Sequence, residues 1–420
     1  MPEPALTGRP APARRLLPAL FAAACFLLYL AASLYYNAFG PEAPLMMAFF
    51  EITESQQGLI LTLQAIGTLA ASVYLALFGE RHNKIYVVCF GMGILTLCAL
   101  AIHLLPAWYP AGQGYVTLLG IVLAGGVGYT CIDLMINGVI NDVYPKTRAT
   151  IMPITHAFYG VGSMCIPVLV SALATDARPE SFATPYLAIA AVTGVAAVFA
   201  LVTGARFRPE TPYADMRAVR RRVRENPAEI FREGRAWLFL LSFVLNFMLL
   251  SGVSVWLVTY AQSALSLDYD TASLMLTLFF GGALVMRFVS PLIFRVLPVR
   301  RYVVWMPVLA AVTLGAGFAI GNVALLYVLL PLGGFFQGGL IGAMVLISCE
   351  SFPERSASAA ALSSFAVGVS TLATPALMGA VAERFGFTLP MLAISACMLL
   401  SALTTYLAIR AGDRRAAKAA

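Results

Sequence analysis

Apolar residues run along this chain in long stretches, separated by short polar segments at fairly even intervals. Twelve stretches stand out: 16–39, 57–78, 85–105, 115–141, 149–173, 183–204, 236–262, 270–294, 302–320, 323–349, 357–380 and 387–410. Each holds about 18 to 27 residues, enough to cross a hydrocarbon core of ~30 Å at ~1.5 Å per residue. The pattern predicts an all-α membrane protein with twelve transmembrane helices. The one long polar segment, 205–235, divides it into a six-helix bundle over 1–204 and a second over 236–420.

Composition removes the main alternatives. Hydrophobic residues make up 60% of the 420 positions and charged residues only 11%, where a soluble domain carries about 25% charge. The net charge of +7 does not describe a nucleic-acid surface, because the basic residues sit in short loops between apolar runs. With both termini on the cytoplasmic side, only Arg178, Arg384 and Arg287 of the 27 basic residues fall outside cytoplasmic segments. That asymmetry predicts the orientation. Arg9, Arg14 and Arg15 precede a run too long for the apolar core of a signal peptide, so 16–39 reads as the first span. The seven cysteines all lie within apolar runs and form no CxxC pair, which marks them as small core residues. The 205–235 segment carries nine arginines and five acids. It reads either as a solvated linker or as an amphipathic helix on anionic lipid.

The two halves repeat. Adding 208 carries Gly125-Gly126 onto Gly333-Gly334, Asp142 onto Glu350, Tyr144 onto Phe352 and Pro145 onto Pro353. It also carries Gly160-Val161 onto Gly368-Val369 and Pro167 onto Pro375, with no gap. The short basic loop 78–84 has its counterpart in 294–300. Halves of this kind place a solute site between them, near the bilayer midplane.

Twelve spans, a basic central loop and short basic 2–3 and 8–9 loops together resemble the major facilitator superfamily. Of its 2–3 loop motif only Arg81 and Lys84 remain, whereas Pro145 to Arg148 and Glu350 to Arg355 match its 4–5 and 10–11 loops better. Span four, with Gly125-Gly126 and Gly128 followed by Asp133 and Asn137, is similar to the fucose-permease-like branch of proton-coupled sugar symporters. That branch carries an aspartate late in span one, where this chain has Asn37 ahead of Pro41.

The repeat also sorts scaffold from chemistry. Asp133, Asn137 and Asn141 map onto Ile341, Val345 and Cys349, and His156 maps onto Ser364, so this polar set belongs to the first half alone. The three span-four residues are spaced i, i+4, i+8 and form one stripe, which must face protein or water rather than lipid. Asp133 and His156 each lie roughly 12–14 Å from the cytoplasmic end of their spans, close to the midplane. The expectation is that Asp133 is the proton-coupling carboxylate and His156 tunes it or shares the proton; a static buried bond between two helices is the plainer reading. Candidates for solute contact are Asn37, Tyr36, Tyr129, Asn137, Asn141, Asn246, Trp256 and Gln337, which supply amides and aromatic faces. The resemblance implies that Arg287 and Glu350 form a gate lock, with Asp142 and either Arg81 or Arg148 as the first-half equivalent. A permanent salt bridge within the second half is the other reading of Arg287 and Glu350.

These residues point to a secondary transporter working by alternating access, with proton-coupled symport of a small polar solute such as a sugar as the leading reading. A proton-driven exporter of amphipathic compounds is the alternative, favoured by the aromatic and methionine content and by Asn37 in place of a carboxylate. A signalling, transporter-like sensor would need a larger cytoplasmic portion than the linker and tail provide. An enzyme is not expected, since no HExxH, GxSxG or phosphate-binding glycine loop is present. No cofactor, metal or nucleic-acid partner is expected; the partners are solute, protons and the bilayer. The expected setting is the inner membrane of a bacterium, as a monomer.

Overall fold

A computed structural model describes residues 12–78, 82–144, 147–175, 177–206, 227–352 and 356–419. Most of the 205–235 linker therefore lies outside the described residues. Fourteen α-helices occur among those described. In the first half they are α1 (Pro12–Asn37), α2 (Ala43–Phe50), α3 (Glu54–Phe78), α4 (Lys84–Trp108), α5 (Tyr115–Val143), α6 (Arg148–Leu173) and α7 (Thr184–Arg206). The second half holds α8 (Gly234–Leu265), α9 (Tyr269–Ile293), α10 (Val299–Ile320), α11 (Val323–Gly338), α12 (Leu340–Ser351), α13 (Ser356–Phe385) and α14 (Thr388–Ala419). Among the described residues twelve segments are long and apolar enough to cross a membrane, and they match the twelve predicted from the apolar runs to within five residues at each end, except that span eleven starts at Phe365, eight residues late.

Two features depart from a plain twelve-helix reading. Span ten is broken into α11 and α12 at Gly338-Gly339, a glycine pair that lowers the cost of a kink. The loop after span one contains α2, whose Leu45, Met46, Phe49 and Phe50 are buried. This helix packs on the short 3₁₀ turn Pro179–Ala183 and on α8. The perimeter is apolar, with Phe90, Leu97, Val198 and Phe288 all more than 60% exposed, as expected where lipid replaces water as the solvent.

The halves share one packing plan. In the first, α3 and α4 pack on α5, α4 on α7, and α1 on both α6 and α7. In the second, α9 and α10 pack on α11, α10 on α14, and α8 on both α13 and α14. Glycines explain the tightest seams. A Cβ on Gly126 of α5 would stand 2.1 Å from the Gln64 carbonyl of α3, and one on Gly67 of α3 would stand 2.1 Å from the Leu123 carbonyl of α5. The corresponding seam has Gly334 against the Phe279 carbonyl at 2.0 Å and Gly282 against the Pro331 carbonyl at 1.9 Å. Backbones meet directly at these four points, which only glycine permits.

The halves join along α3 with α13 and along α6 with α9. Their recorded contacts lie at the membrane face opposite the chain termini, here the far face, or at mid-depth. Gly58 meets Pro375 and Ala376, and Gly379 meets the Glu54 carbonyl. The Ser55 amide donates to Glu383 Oε1 at 2.9 Å, Thr62 Oγ1 to the Leu372 carbonyl at 2.9 Å, and Ser171 Oγ to Asp270 Oδ1 at 2.6 Å. Gly160, midway along α6, meets Arg287, six residues from the termini-side end of α9. Among the described residues no hydrogen bond or ion pair joins the halves on the termini side of that point. The far face is closed.

Candidate functional site

Three helices of the first half bring their polar faces together at mid-depth. Helix α1 contributes Tyr29, Ser33, Tyr36 and Asn37, α5 contributes Tyr129, Asp133 and Asn137, and α6 contributes His156, Tyr159 and Ser163. Each set falls at three- and four-residue steps, so each forms one face of its helix.

The centre is Asp133, whose Oδ1 accepts a hydrogen bond from the Tyr29 hydroxyl. The Tyr29 ring meets the edge of His156 at 5.0 Å between centroids and an interplanar angle of 87°. No hydrogen bond or ion pair joins Asp133 to His156. They lie within charge–charge range, and Tyr29 touches both, through its hydroxyl to Asp133 and its ring to His156. Asn137 spends its Nδ2 on the Asp133 backbone carbonyl at 2.8 Å, leaving its buried Oδ1 without a partner. That oxygen is an unsatisfied acceptor buried beside Asp133.

Asn37 lies in a tight polar knot. Its Nδ2 donates to the Ser33 carbonyl at 2.9 Å and lies 3.2 Å from the Tyr159 hydroxyl and 3.3 Å from Ser163 Oγ. Ser33 Oγ donates to the Tyr159 carbonyl at 2.7 Å and lies 3.0 Å from Ser163 Oγ. The knot binds α1 to α6, and Gly162 allows the approach by meeting the Leu30 carbonyl. Tyr36 and Tyr129 stack at 4.1 Å, and Tyr129 meets Tyr159 at 6.3 Å. The walls are therefore a run of phenols around one carboxylate.

Arg287 approaches from the second half. Its Nη1 lies 2.7 Å from where a Gly160 Cβ would stand, and the guanidinium is within charge range of both Tyr159 and His156. It makes no ion pair among the described residues. Glu350 is exposed at the end of α12 and makes none either. The permanent bridge between Arg287 and Glu350 is absent from this conformation, because Arg287 is seated against the other half.

Three other candidates are buried within the second half in this conformation. Trp256 is fully buried, donates to the Pro375 carbonyl at 3.2 Å and packs against Phe387 with the rings tilted by 41°. Asn246 is fully buried, with Met398 Sδ at 3.9 Å from its Nδ2. Gln337 is buried beside the Gly338–Ala283 seam, its Nε2 without a partner. Trp256 turns into its own bundle, where the indole N–H is satisfied, whereas Asn246 keeps its buried Oδ1 without a partner. Arg81 lies outside the described residues, as do the side chains of Asn141, Asp142 and Arg148.

Tyr29, Ser33, Tyr159 and Ser163 were not singled out by the sequence reading. Their signal was present as the 29, 33, 36 and 156, 159, 163 spacings, but hydroxyl residues at helical steps are common in apolar spans. A separate crevice of about 590 Å³ lies between α3 and α4, lined by Tyr74, His82, Tyr86 and Phe90. It takes only Val127 and Cys131 from α5, a different face from Asp133, and so lies apart from the polar site.

A family model described as Major Facilitator Superfamily matches residues 25–296 and 261–420. Among solved structures, the chain is similar to a bacterial homolog of the human lysosomal transporter Spinster in an inward-facing, unoccupied conformation. That match has a TM-score of 0.76 and 14% identity over 94% of this chain and 97% of the other. It is also similar to a D-xylose-proton symporter, at TM-score 0.73 and 16% identity over 92% and 97%. The nucleoside transporter NupG matches at TM-score 0.74 and 14% identity over 93% and 98%. At such identities the likeness establishes the fold. No curated protein matches the sequence.

Proposed function

Because this chain belongs to the Major Facilitator Superfamily and is therefore a multi-pass membrane transporter, we propose that it couples protons to the movement of a small polar solute such as a sugar. The observation that carries this reading is Asp133 at mid-depth, bonded to Tyr29 and walled by Tyr36, Tyr129 and Tyr159. A carboxylate at that depth is costly unless it serves a cation or a proton. The phenols offer flat faces and hydroxyls to a ring-bearing solute, and Asn137 Oδ1 offers an acceptor.

With the termini cytoplasmic, as the basic residues argue, the closed far face is external and the conformation is inward-open. In the cycle we propose, Asp133 takes a proton when the site faces outward and releases it when the site faces inward. The Tyr29 hydroxyl remains a partner for the carboxyl in both forms. His156, against the same ring, is the proton's second station, and Arg287 supplies a positive charge from the opposite half as the bundles close around the solute.

Counterflow of labelled sugars and nucleosides in proteoliposomes, with and without a pH gradient, tests this. Asp133→Asn is expected to abolish proton-driven accumulation while leaving exchange. Wild-type accumulation by that variant would overturn the assignment. The phenol-rich walls equally suit an amphipathic solute moving outward. Solute-dependent proton leakage from acid-loaded vesicles, without acid-driven uptake, would favour that exporter reading.

A further inference from the structure

A second carboxyl group lies buried far from Asp133. Glu42 occupies the corner between α1 and α2 and is 0% exposed. It stands at the N-cap of α2 without making a side-chain cap bond. The Tyr186 hydroxyl, from α7, stands beside the carboxyl and acts on it as a hydrogen-bonding neighbour, although neither Glu42 oxygen has a bond of ordinary geometry.

The corner is part of the seal between the halves. A Cβ on Gly40 would stand 2.0 Å from the Ser254 carbonyl of α8, so the two backbones touch. The Pro41 carbonyl accepts a hydrogen bond from Tyr269, at the start of α9, at 2.8 Å. Opening the far face must withdraw Gly40 from Ser254 and Pro41 from Tyr269. The residue next to both contacts is Glu42.

Among the described residues no cation compensates the carboxyl. The groups around it are the phenols of Tyr186 from α7, Tyr35 from α1 and Tyr269 from α9, the last two acting on Tyr186. From α8, Tyr260 turns to the Phe318 carbonyl. From α3 the nearest acid in sequence is Glu54, at the helix start, and on the turn before α7 both Arg178 and Glu180 are exposed. His103 of α4 spends its Nδ1 on the Ala183 carbonyl at 2.9 Å. Burial raises the Glu42 pKa well above the ordinary carboxylate value, and the neighbouring Tyr186 hydroxyl offsets only part of that rise.

We propose that Glu42 is a proton-binding site built into the seal, protonated while the far face is closed and ionised when that face opens to water. The closed state then binds one proton more than the open state. Acid favours closure, and the ratio of open to closed rises about tenfold per pH unit above the ordinary carboxylate value, levelling off beyond the closed-state pKa. The site is distinct from the solute pocket and acts without solute.

Spin labels at Ala111 and Ala264, both exposed at the far face on opposite halves, read the opening in a cysteine-free protein in detergent without solute. The wild type is expected to gain a longer-distance population as pH rises. Glu42→Gln, neutral at every pH, is expected to stay closed and flat, while Asp133→Asn keeps the pH response. A wild-type response in Glu42→Gln, or no response in the wild type, overturns the proposal. Infrared spectra of Asp133→Asn give a readout that does not depend on the Glu42 variant. A protonated carboxyl band at neutral pH in the closed state is expected, and its absence would count equally against the site. Loss of the response in Asp133→Asn alone would assign the pH effect to the solute pocket instead.

Discussion

The Tyr29 hydroxyl donates to Oδ1 of Asp133, tying α1 to α5 at the depth where the two halves meet. A hydrogen bond to an ionised group contributes about 1.5–3 kcal/mol. Tyr29→Phe keeps the ring and its edge contact with His156 but removes the donor. The expected result is a loss of roughly tenfold or more in proton-driven accumulation, with solute exchange less affected. Transport assays with and without a pH gradient separate the two, and an equal loss in both would make Tyr29 a solute ligand rather than a partner of the carboxylate.

The glycine seams give a stability prediction. At Gly126 and Gly334 a methyl group would meet a backbone carbonyl at 2.1 and 2.0 Å, which no side-chain rotation relieves. Gly126→Ala and Gly334→Ala are each expected to cost about 1–3 kcal/mol, the range for overpacking, and to lower the thermal midpoint in detergent. Gly120→Ala, in the same helix as Gly126 but with nothing within 4 Å, is expected to be neutral or to stabilise by up to ~1 kcal/mol. Equal midpoints for Gly120→Ala and Gly126→Ala would refute the close-approach account.

Those seams also show how far the sequence was legible. The repeat at an offset of 208 pointed to Gly126 and Gly334 without saying what they touch; Gln64 and Phe279 are their partners at an offset of 215. Span positions were legible because hydrocarbon demands long apolar runs. Asp133, His156 and Asn37 were legible because polar residues in such runs are few. Tyr29 and Ser33 were hidden because tyrosine and serine are unremarkable in a membrane helix until a partner is known. Trp256 misled in the opposite sense, since an indole N–H satisfied by the Pro375 carbonyl looks the same in sequence as one facing a solute. Glu42 lies in a short loop between apolar runs, and nothing local announces that α2 folds back and buries it.

A smaller prediction concerns the start of α9. Asp268 caps this helix, accepting from the Thr271 amide at 3.0 Å and from Thr271 Oγ1 at 2.7 Å. These bonds hold its carboxyl below the usual range. A depressed value means the cap stabilises fully above the ordinary carboxylate pKa and is lost as pH falls through the lowered one. The group is exposed, so Asp268→Ala is expected to cost only about 0.5 kcal/mol, the low end for a cap. Faster amide exchange in the first turn of α9 would report it. Asp268→Asn keeps an acceptor and should remove the acid dependence; unchanged dependence would mean another group is titrating.

Arg287 and Glu350 present the sharpest choice about gating. In this conformation Arg287 rests on Gly160 of the other half, while Glu350 is exposed and unpaired at the end of α12. The Arg287–Gly160 contact lies in the α6–α9 interface between the halves, and it is expected to part as the bundles rock to open the far face. The freed guanidinium then needs a new partner, because an unpaired charge at that depth is costly, and Glu350 lies in the same half. The prediction is that the pair forms only in the state with the termini side closed. Arg287→Glu is expected to block transport, and adding Glu350→Arg to restore part of it. The coupling between the two should amount to about 0.5–3 kcal/mol in a double-mutant cycle. Additive losses, with no rescue by the swapped pair, would mean that Arg287 serves the solute site directly and that Glu350 has no part in the gate.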